Sequence, residues 1–246
     1  MTEAATRQAS AKRTALVTGG ARRLGRAIAL GLAEDGFDIA LHYNRSAGEI
    51  EALKREIEAQ GRQATTIPAD LRDPSRAASI IEAARAALGP VSLLINNASL
   101  FEQDDLAGMT LESWRCLTDI NLSSPVFLMQ AFAAQPDLPQ GASVINMLDQ
   151  QNAAPSPKFF SYAVAKIGLE GATRLAAFEL APRIRVNGIA PGLVLRSGSQ
   201  TDATFLGYQR NIPMGQGLGA DDIVRAVRYL IASPHVTGEV LTVDSG

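Results

Sequence analysis

The stretch GGARRLGRA, residues 19–27, is a glycine-rich segment with two adjacent arginines. It follows an apolar run over residues 15–17 and leads into a helical pattern of apolar residues. A glycine-rich turn between a strand and a helix is typical of a phosphate site, because the helix N-terminus offers free N–H groups and the positive end of its dipole. Gly19 is predicted to form the tight turn, and Gly25 to let the helix pack closely on the strand. Arg23 stands where a third glycine is often found.

Along the rest of the chain, short β-branched or apolar runs alternate with longer helical patterns. Such alternation predicts a Rossmann-like α/β fold, a doubly wound seven-stranded parallel sheet with helices on both faces and right-handed crossovers. The predicted strands are residues 14–18, 38–42, 64–68, 92–96, 143–147, 185–189 and 240–243. The predicted helices are residues 24–34, 47–60, 75–88, 111–134, 160–181 and 220–232.

The domain organisation is predicted to be simple. Residues 1–12 are polar and are expected to form a flexible tail, and residues 13–246 a single domain, because no linker is visible. Residues 193–218 carry Gly, Ser, Thr, Asn and Pro with weak periodicity. A long irregular loop in a compact domain is usually functional, so this segment is predicted to be a substrate loop. The alternative is a disordered insertion.

Composition excludes several classes of function. The formal net charge is -2 and the basic residues are spread along the chain, which argues against a nucleic-acid surface. Cys116 is the only cysteine, so no internal disulfide forms, in agreement with a reducing compartment. No signal peptide or membrane-spanning run is apparent. We expect a cytoplasmic protein with a small-molecule substrate and with no nucleic acid, membrane or metal as partner.

The end of the second strand predicts the identity of the cofactor. An NAD site has an acidic residue here that grips the ribose 2′-hydroxyl, and this chain has none. Arg45 instead offers a planar fork suited to phosphate, and Ser46 a hydroxyl, beside His42 and Asn44. We therefore predict a 2′-phosphate and the cofactor NADPH/NADP+. The alternative is a solvated arginine in a loop.

Further cofactor contacts are predicted where later strands end, because the carboxyl ends of parallel strands share one edge of the sheet. The turn after the third strand is expected beside the adenine, and the turn after the fourth beside the ribose. The alternative for both is ordinary turn chemistry. These predicted cofactor residues, with the helix start, are Leu24, Asp70, Leu71, Asn97, Ala98 and Ser99.

Tyr162 and Lys166 form the predicted catalytic pair. They stand four residues apart in a helical pattern and therefore share one face. A lysine there lowers the pKa of the phenol and holds a nicotinamide ribose, so that the phenol becomes a proton donor near neutral pH. Most such pairs are surface pairs, but this one follows the fifth strand, where a doubly wound sheet opens its cleft.

In order and spacing, these motifs resemble the short-chain dehydrogenase/reductase family over nearly the whole chain. The resemblance implies hydride transfer from a nicotinamide cofactor, with Tyr162 as the acid, Lys166 as its tuner and ribose anchor, and Asn121 as the holder of a relay water. By the same analogy we expect a homotetramer. The matching pieces are Thr18-Gly19 with Gly25, Asn96-Asn97-Ala98, Asn121, Tyr162 with Lys166, Pro191-Gly192 at the cofactor, Thr237-Gly238 and Val243-Asp244.

Two departures from the general family pattern resemble the pteridine reductase branch. They are Arg23 in the glycine turn and Asp149 where the family usually has serine. The stretches HYNRSA at 42–47 and NNAS at 96–99, followed by Phe101, resemble the same branch. The resemblance implies reduction of a pterin, dihydropterin or dihydrofolate ring.

Substrate contacts are expected from Arg23, Phe101, Asp149, Tyr162 and Leu193. Asp149 and Tyr162 would supply protons to ring nitrogens, and Phe101 would stack on the ring. Arg23 would reach both the pyrophosphate and the pterin edge, on the assumption that no glycine is needed at its position. The alternatives are a solvated arginine, core packing of Phe101 and a turn cap formed by Asp149.

Two other functions compete with this one. The first is a carbonyl reductase of the same family that acts on a 3-oxoacyl thioester or a small ketone. Asp149 argues against it, because an anion repels a ketone oxygen. The second is a non-catalytic NADPH sensor, and the presence of Tyr162 and Lys166 argues against it.

Overall fold

The computed structural model describes residues 13–194, 196, 201, 205–207, 210, 212–215 and 217–246. Within them, the strands form a parallel sheet with the order 3-2-1-4-5-6-7, which confirms the predicted architecture. The strands are β1 (Arg13–Val17), β2 (Phe37–Tyr43), β3 (Ala64–Pro68), β4 (Val91–Asn96), β5 (Ala142–Met147), β6 (Ile184–Pro191) and β7 (Val240–Val243).

Helices cover both faces of the sheet. The main ones in the described residues are α1 (Arg23–Glu34), α2 (Ala47–Ala59), α3 (Ala77–Leu88), α4 (Leu111–Thr118), α5 (Ser124–Ala133), α6 (Phe160–Leu180) and α7 (Ala220–Ala232). Buried side chains of α1, α2 and α7 form one core with the sheet, and those of α3, α5 and α6 form the other. The strand order reverses between β1 and β4, so the crevice for a ligand opens at the carboxyl ends of these strands.

One predicted helix is divided in two. The periodicity predicts a single helix over residues 111–134, but a π-helical segment, Asp119–Ser123, separates α4 from α5. Pro125 explains the break, because it lacks the N–H that would bond to the carbonyl of Asn121 in a regular α-helix. Asn121 lies in this π-helical segment and is buried, and its neighbour Ile120 lines the crevice.

Two predicted segments lie wholly or partly outside the described residues. The predicted tail, residues 1–12, is outside them, as are residues 195, 197–200, 202–204, 208, 209, 211 and 216 of the predicted substrate loop. In the part of the chain that is described, none of the helices combines the length and apolar character needed to cross a bilayer.

Candidate active site

A cavity of about 540 Å³ lies at the carboxyl ends of the central strands. It adjoins the switch in strand order, where a doubly wound sheet binds its ligand. The structure brings most of the predicted site residues together on its wall. These are Gly19, Arg23, Leu24, His42, Asn44, Asp70, Leu71, Asn97, Ala98, Ser99, Tyr162, Lys166 and Pro191.

The glycine turn has the geometry of a close approach. A Cβ atom on Gly25 would collide with the carbonyl oxygen of Gly19 and lie 2.6 Å from Nδ2 of Asn97. Gly25 is therefore needed for the tight packing that the sequence predicts. Arg23 has a φ of 54°, in the left-handed region that glycine favours. Arginine therefore stands there at a backbone cost of about 1 kcal/mol, which a glycine would avoid.

The start of α1 suits an anionic group. In the described structure no side chain caps this N-terminus, and the first turn contains no carboxylate. The positive end of the helix dipole therefore remains available at the cavity, which the turn residues line. A Cβ on Gly19 would lie 2.9 Å from Cα of Ala98, so the turn fits closely against the chain after β4. These features match the pyrophosphate of a dinucleotide.

His42 links the glycine turn to the end of β3. Its Nδ1 accepts the N–H of Gly19 at 3.3 Å, and its Nε2 lies 3.2 Å from the carbonyl oxygen of Ala69. Since Nδ1 is the acceptor, Nε2 carries the proton and the ring is neutral. Burial lowers the pKa of His42 from 6.5 to about 4.

This pKa predicts a loss of stability in acid. Above pH 6.5 the imidazole is neutral in the folded and unfolded chain, so its contacts contribute fully. Between pH 6.5 and about 4 only the unfolded chain binds the proton. The free energy of unfolding is therefore expected to fall by about 3 kcal/mol across this window. Urea unfolding at several pH values measures it.

Glutamine variants of the two histidines provide the test and its matched control. His42→Gln, whose amide does not titrate, should flatten this part of the stability profile. His235→Gln should leave the slope unchanged, because His235 is exposed. A slope that is the same in wild type and His42→Gln contradicts the assignment.

The second predicted turn contributes to the wall of the cavity. Asn44 and Asp70 line it, and Arg45 and Ser46 follow Asn44 without lining it. Hydrogen bonds from Arg72, aided by the charge of Arg45, hold the pKa of Asp70 below its ordinary value. Arg45 therefore lies near enough to Asp70 for the two charges to attract each other.

Asp149 and Tyr162 form a hydrogen-bonded pair. Tyr162 Oη donates to Asp149 Oδ2 at 2.7 Å. Asp149 Oδ1 accepts the N–H of Gln151 at 2.8 Å and so also caps the short turn Gln150–Ala153. The two interpretations of Asp149 from the sequence, as site residue and as cap, therefore describe different oxygens of one carboxylate.

The pKa of Tyr162 moves in the opposite direction from the sequence expectation. Burial raises it above its ordinary value, and the charge and hydrogen bond of Asp149 raise it further, while Ser99 opposes the change. The phenol is therefore protonated throughout the neutral range, rather than titrating near neutral pH. The phenol therefore holds a proton that it can donate, but its raised pKa makes it a weaker acid than an ordinary tyrosine.

Lys166 is buried beside this pair. Its Nζ donates to the carbonyl oxygen of Met147 at 2.7 Å and lies 5.8 Å from the centre of the Tyr162 ring. Burial lowers the pKa of Lys166 from 10.5 to about 8, against the opposing charge of Asp149. The ammonium thus stands at the cavity wall, where a ribose hydroxyl would meet it.

Asn121 uses all its hydrogen-bonding groups within the protein. Its Oδ1 accepts from Ser99 Oγ at 2.7 Å and from the N–H of Leu100 at 3.3 Å. Its Nδ2 donates to the carbonyl oxygens of Leu100 and Leu117, each at 2.9 Å. The side chain therefore fastens the loop after β4 to α4, and a relay water on Asn121 would have to bind its backbone carbonyl oxygen rather than its side chain.

Phe101 belongs to an aromatic cluster. It stacks on Phe159 with ring centres 4.3 Å apart and meets the Tyr162 ring edge-on at 4.8 Å. With 44% of its surface exposed, Phe101 is not a core residue. The sequence does not predict Phe159 as a site residue, although its position just before the tyrosine helix is a usable signal.

The last predicted contacts lie beyond the cavity wall. Gly192 and Leu193 follow Pro191, which does line it. A Cβ on Gly192 would lie 2.7 Å from Cα of Asp244, so this glycine is required by packing against the chain after β7. Sequence reasoning missed several lining residues next to predicted ones, namely Arg22, Leu100, Ile120, Met147 and Leu148.

The sequence and the fold of this chain are similar to those of several known proteins. The family model of the short chain dehydrogenases matches residues 13–204. A crystal structure of FolM alternative dihydrofolate reductase 1 from Brucella canis with NADP is 38% identical, with a TM-score of 0.90 over 95% of this chain and 93% of that one. A blue fluorescent protein from a metagenomic library with NADPH is 33% identical, with a TM-score of 0.86 over 95% and 97%. The 3-oxoacyl-(acyl-carrier-protein) reductase FabG of Staphylococcus aureus is 31% identical, over 95% of this chain and 97% of its own.

Proposed function

The chain belongs to the short-chain dehydrogenase family, and from this premise we propose that it is an NADPH-dependent reductase of a pterin, dihydropterin or dihydrofolate ring. The observation that carries the proposal is the hydrogen bond of 2.7 Å between Tyr162 and the carboxylate of Asp149. The family usually has a serine at the position of this carboxylate. The similarity to the NADP-bound FolM structure supports the same substrate class.

NADP(H) is the cofactor that the site suits. The uncapped start of α1 would hold the pyrophosphate, and Arg45 would bind the 2′-phosphate. Lys166 is placed to hold the nicotinamide ribose through its ammonium. When bound, the nicotinamide supplies a hydride.

The residues of this chain supply the proton that must accompany that hydride. Reduction of a ring C=N bond adds a hydride to carbon and a proton to nitrogen. Tyr162 carries this proton and donates a hydrogen bond to Asp149, so the phenol delivers the proton to a ring nitrogen that meets its oxygen while the carboxylate orients it. The pterin edge also carries N–H donors, which a carboxylate accepts. A ketone offers only lone pairs, which the same carboxylate repels.

Phe101 is proposed to form one wall of the substrate site. Its exposed ring projects beyond the core next to Tyr162. Stacking of a flat pterin on such a ring is worth about 1 kcal/mol beyond the area that it buries. Arg23, on the cavity wall, is proposed to meet the polar edge of the pterin.

The direct test is a substrate panel with NADPH. Dihydrobiopterin, dihydrofolate, oxidised biopterin and an acetoacetyl thioester are compared by the rate of NADPH oxidation. The expected result is turnover of at least one pterin or folate and none of the thioester. Turnover of the thioester alone would establish the carbonyl reductase, which the similarity to FabG makes the second candidate.

Arg45→Ala tests the assignment of the 2′-phosphate. The guanidinium contacts a group that NADH lacks, so KM for NADPH is expected to rise about tenfold or more while KM for NADH changes less than about twofold. Steady-state kinetics with both cofactors measure the difference. Arg55→Ala, in the middle of α2, is the control. Equal effects of Arg45→Ala on both cofactors contradict the assignment.

We also propose that copies of the chain associate through α6. Its outer face exposes a run of apolar side chains at helical spacing, and such a face on a single copy is unfavourable in water. Light scattering gives the number of copies. The exposed apolar residues are Val164, Ile167, Leu175 and Phe178.

A further inference from the structure

Asp104 joins the loop after β4 to the start of α6. Its Oδ1 accepts the N–H of Ser161 at 2.9 Å, and its carbonyl oxygen accepts the N–H of Phe160 at 3.2 Å. Its own N–H donates to the carbonyl oxygen of Lys158 at 3.2 Å. The first N–H groups of a helix have no partner within it, and Phe159 at the N-cap provides no side-chain cap. Asp104 therefore caps α6 from a distant part of the chain.

The same loop is held at its other end by Asn121, whose amide exchanges hydrogen bonds with the backbone of Leu100. Phe101 lies between these two attachment points, where its ring stacks on Phe159 and meets Tyr162 edge-on. The loop thus connects the aromatic wall to the helix that carries the phenol.

The two carboxylate oxygens of Asp104 differ in their hydrogen bonding. Its second oxygen, Oδ2, is buried and has no hydrogen-bond partner among the described residues. An unpaired buried polar atom is unfavourable, so an aspartate at this position needs an explanation. The first oxygen, which caps α6, is the one that accounts for an aspartate here.

We propose that Asp104 is a positioning residue for the reaction, because by capping α6 it fixes Tyr162 and Phe101 relative to each other. Tyr162 lies in the first turn of α6, so a shift of this turn moves the phenol directly. A displacement of about 1 Å between reacting groups costs up to about a hundredfold in rate. The inference rests on the proposed function, since it uses Phe101 as the wall of a pterin site.

The kinetic test compares Asp104→Ala with Asp105→Ala. Asp105 is the adjacent carboxylate, and its Oδ1 accepts only a hydrogen bond within the loop, from Gly108 at 2.7 Å. Asp104→Ala is expected to lower kcat/KM for the dihydropterin about tenfold or more, with KM for NADPH within about twofold of wild type. Asp105→Ala should leave both constants within about twofold. Equal effects of the two variants would overturn the proposal.

Two further variants separate the cap from the charge. Asp104→Asn keeps an acceptor at the same place and should remain within about threefold of wild type. A loss as large as that of Asp104→Ala would overturn the proposal. Asp104→Glu keeps the charge but moves the carboxylate by one methylene group. Asp104→Glu replaces Asp104→Ala in the kinetic test if the alanine variant does not fold. Wild-type values of kcat/KM and KM for Asp104→Glu would also overturn the proposal.

Hydrogen exchange tests the cap without a substrate. In the NADPH-bound enzyme, the amides of Phe160, Ser161 and Tyr162 should exchange at least about tenfold faster in Asp104→Ala than in wild type. Unchanged protection refutes the positioning role, whatever the substrate. Lost protection in an enzyme that reduces only the thioester instead shows that the cap is correct and the proposed function is not.

Discussion

Replacing Asp149 by asparagine is expected to lower pterin turnover at least about tenfold, with NADPH binding within about twofold of wild type. The amide still accepts a hydrogen bond from Tyr162, but it carries no negative charge. The pKa of Tyr162 should also move back toward its ordinary value, because the charge of Asp149 is one of the causes that raise it. Steady-state rates and the pH dependence of kcat measure the two effects.

The control for this variant is Asp73→Asn. Asp73 caps a short turn by accepting the N–H of Ser75 at 3.1 Å, just as Asp149 accepts that of Gln151. Both variants therefore alter a cap of the same kind, and only one alters the pair with Tyr162. Pterin turnover within about twofold of wild type in Asp149→Asn would remove this carboxylate from the mechanism.

The parts of the site that the sequence predicts well depend on short-range geometry. The glycine turn and the spacing of Tyr162 and Lys166 each follow from a few neighbouring residues in one element. The strand pattern then brings these turns to one edge of the sheet, and the cavity is lined by residues from each of them.

The parts that the sequence misses depend on contacts between distant segments. The stacking of Phe101 on Phe159 and the cap from Asp104 both join the loop after β4 to α6. The pKa of Tyr162 depends first on burial, which no spacing reveals. The break at Pro125 is different, because the proline was visible, but the apolar pattern continues on both sides of it and favours one helix.

The lowered pKa of Lys166 predicts that replacing this lysine by methionine stabilises the fold and lowers the activity. Below pH 8 the buried ammonium is charged and destabilises the folded chain, by about 3 kcal/mol for a pKa lowered from 10.5 to about 8. Lys166→Met removes this cost and loses one hydrogen bond from a charged donor, worth about 2 kcal/mol. The net gain of about 1 kcal/mol should raise Tm by about 3 °C. Activity should fall about a hundredfold or more, because the cation proposed to hold the ribose is gone.

The pH dependence of this gain has a defined sign, which separates the electrostatic cause from better packing of methionine. The folded-state cost disappears as the pH rises from about 8 toward 10.5, because the lysine then becomes neutral in both states. The difference in Tm between Lys166→Met and wild type should therefore be largest at neutral pH and shrink in alkali. Lys54→Met, which removes a partly exposed lysine of α2, should show neither effect. A gain that is constant with pH assigns the stabilisation to packing, and a lower Tm at neutral pH shows that the ammonium stabilises the fold through its bond to Met147.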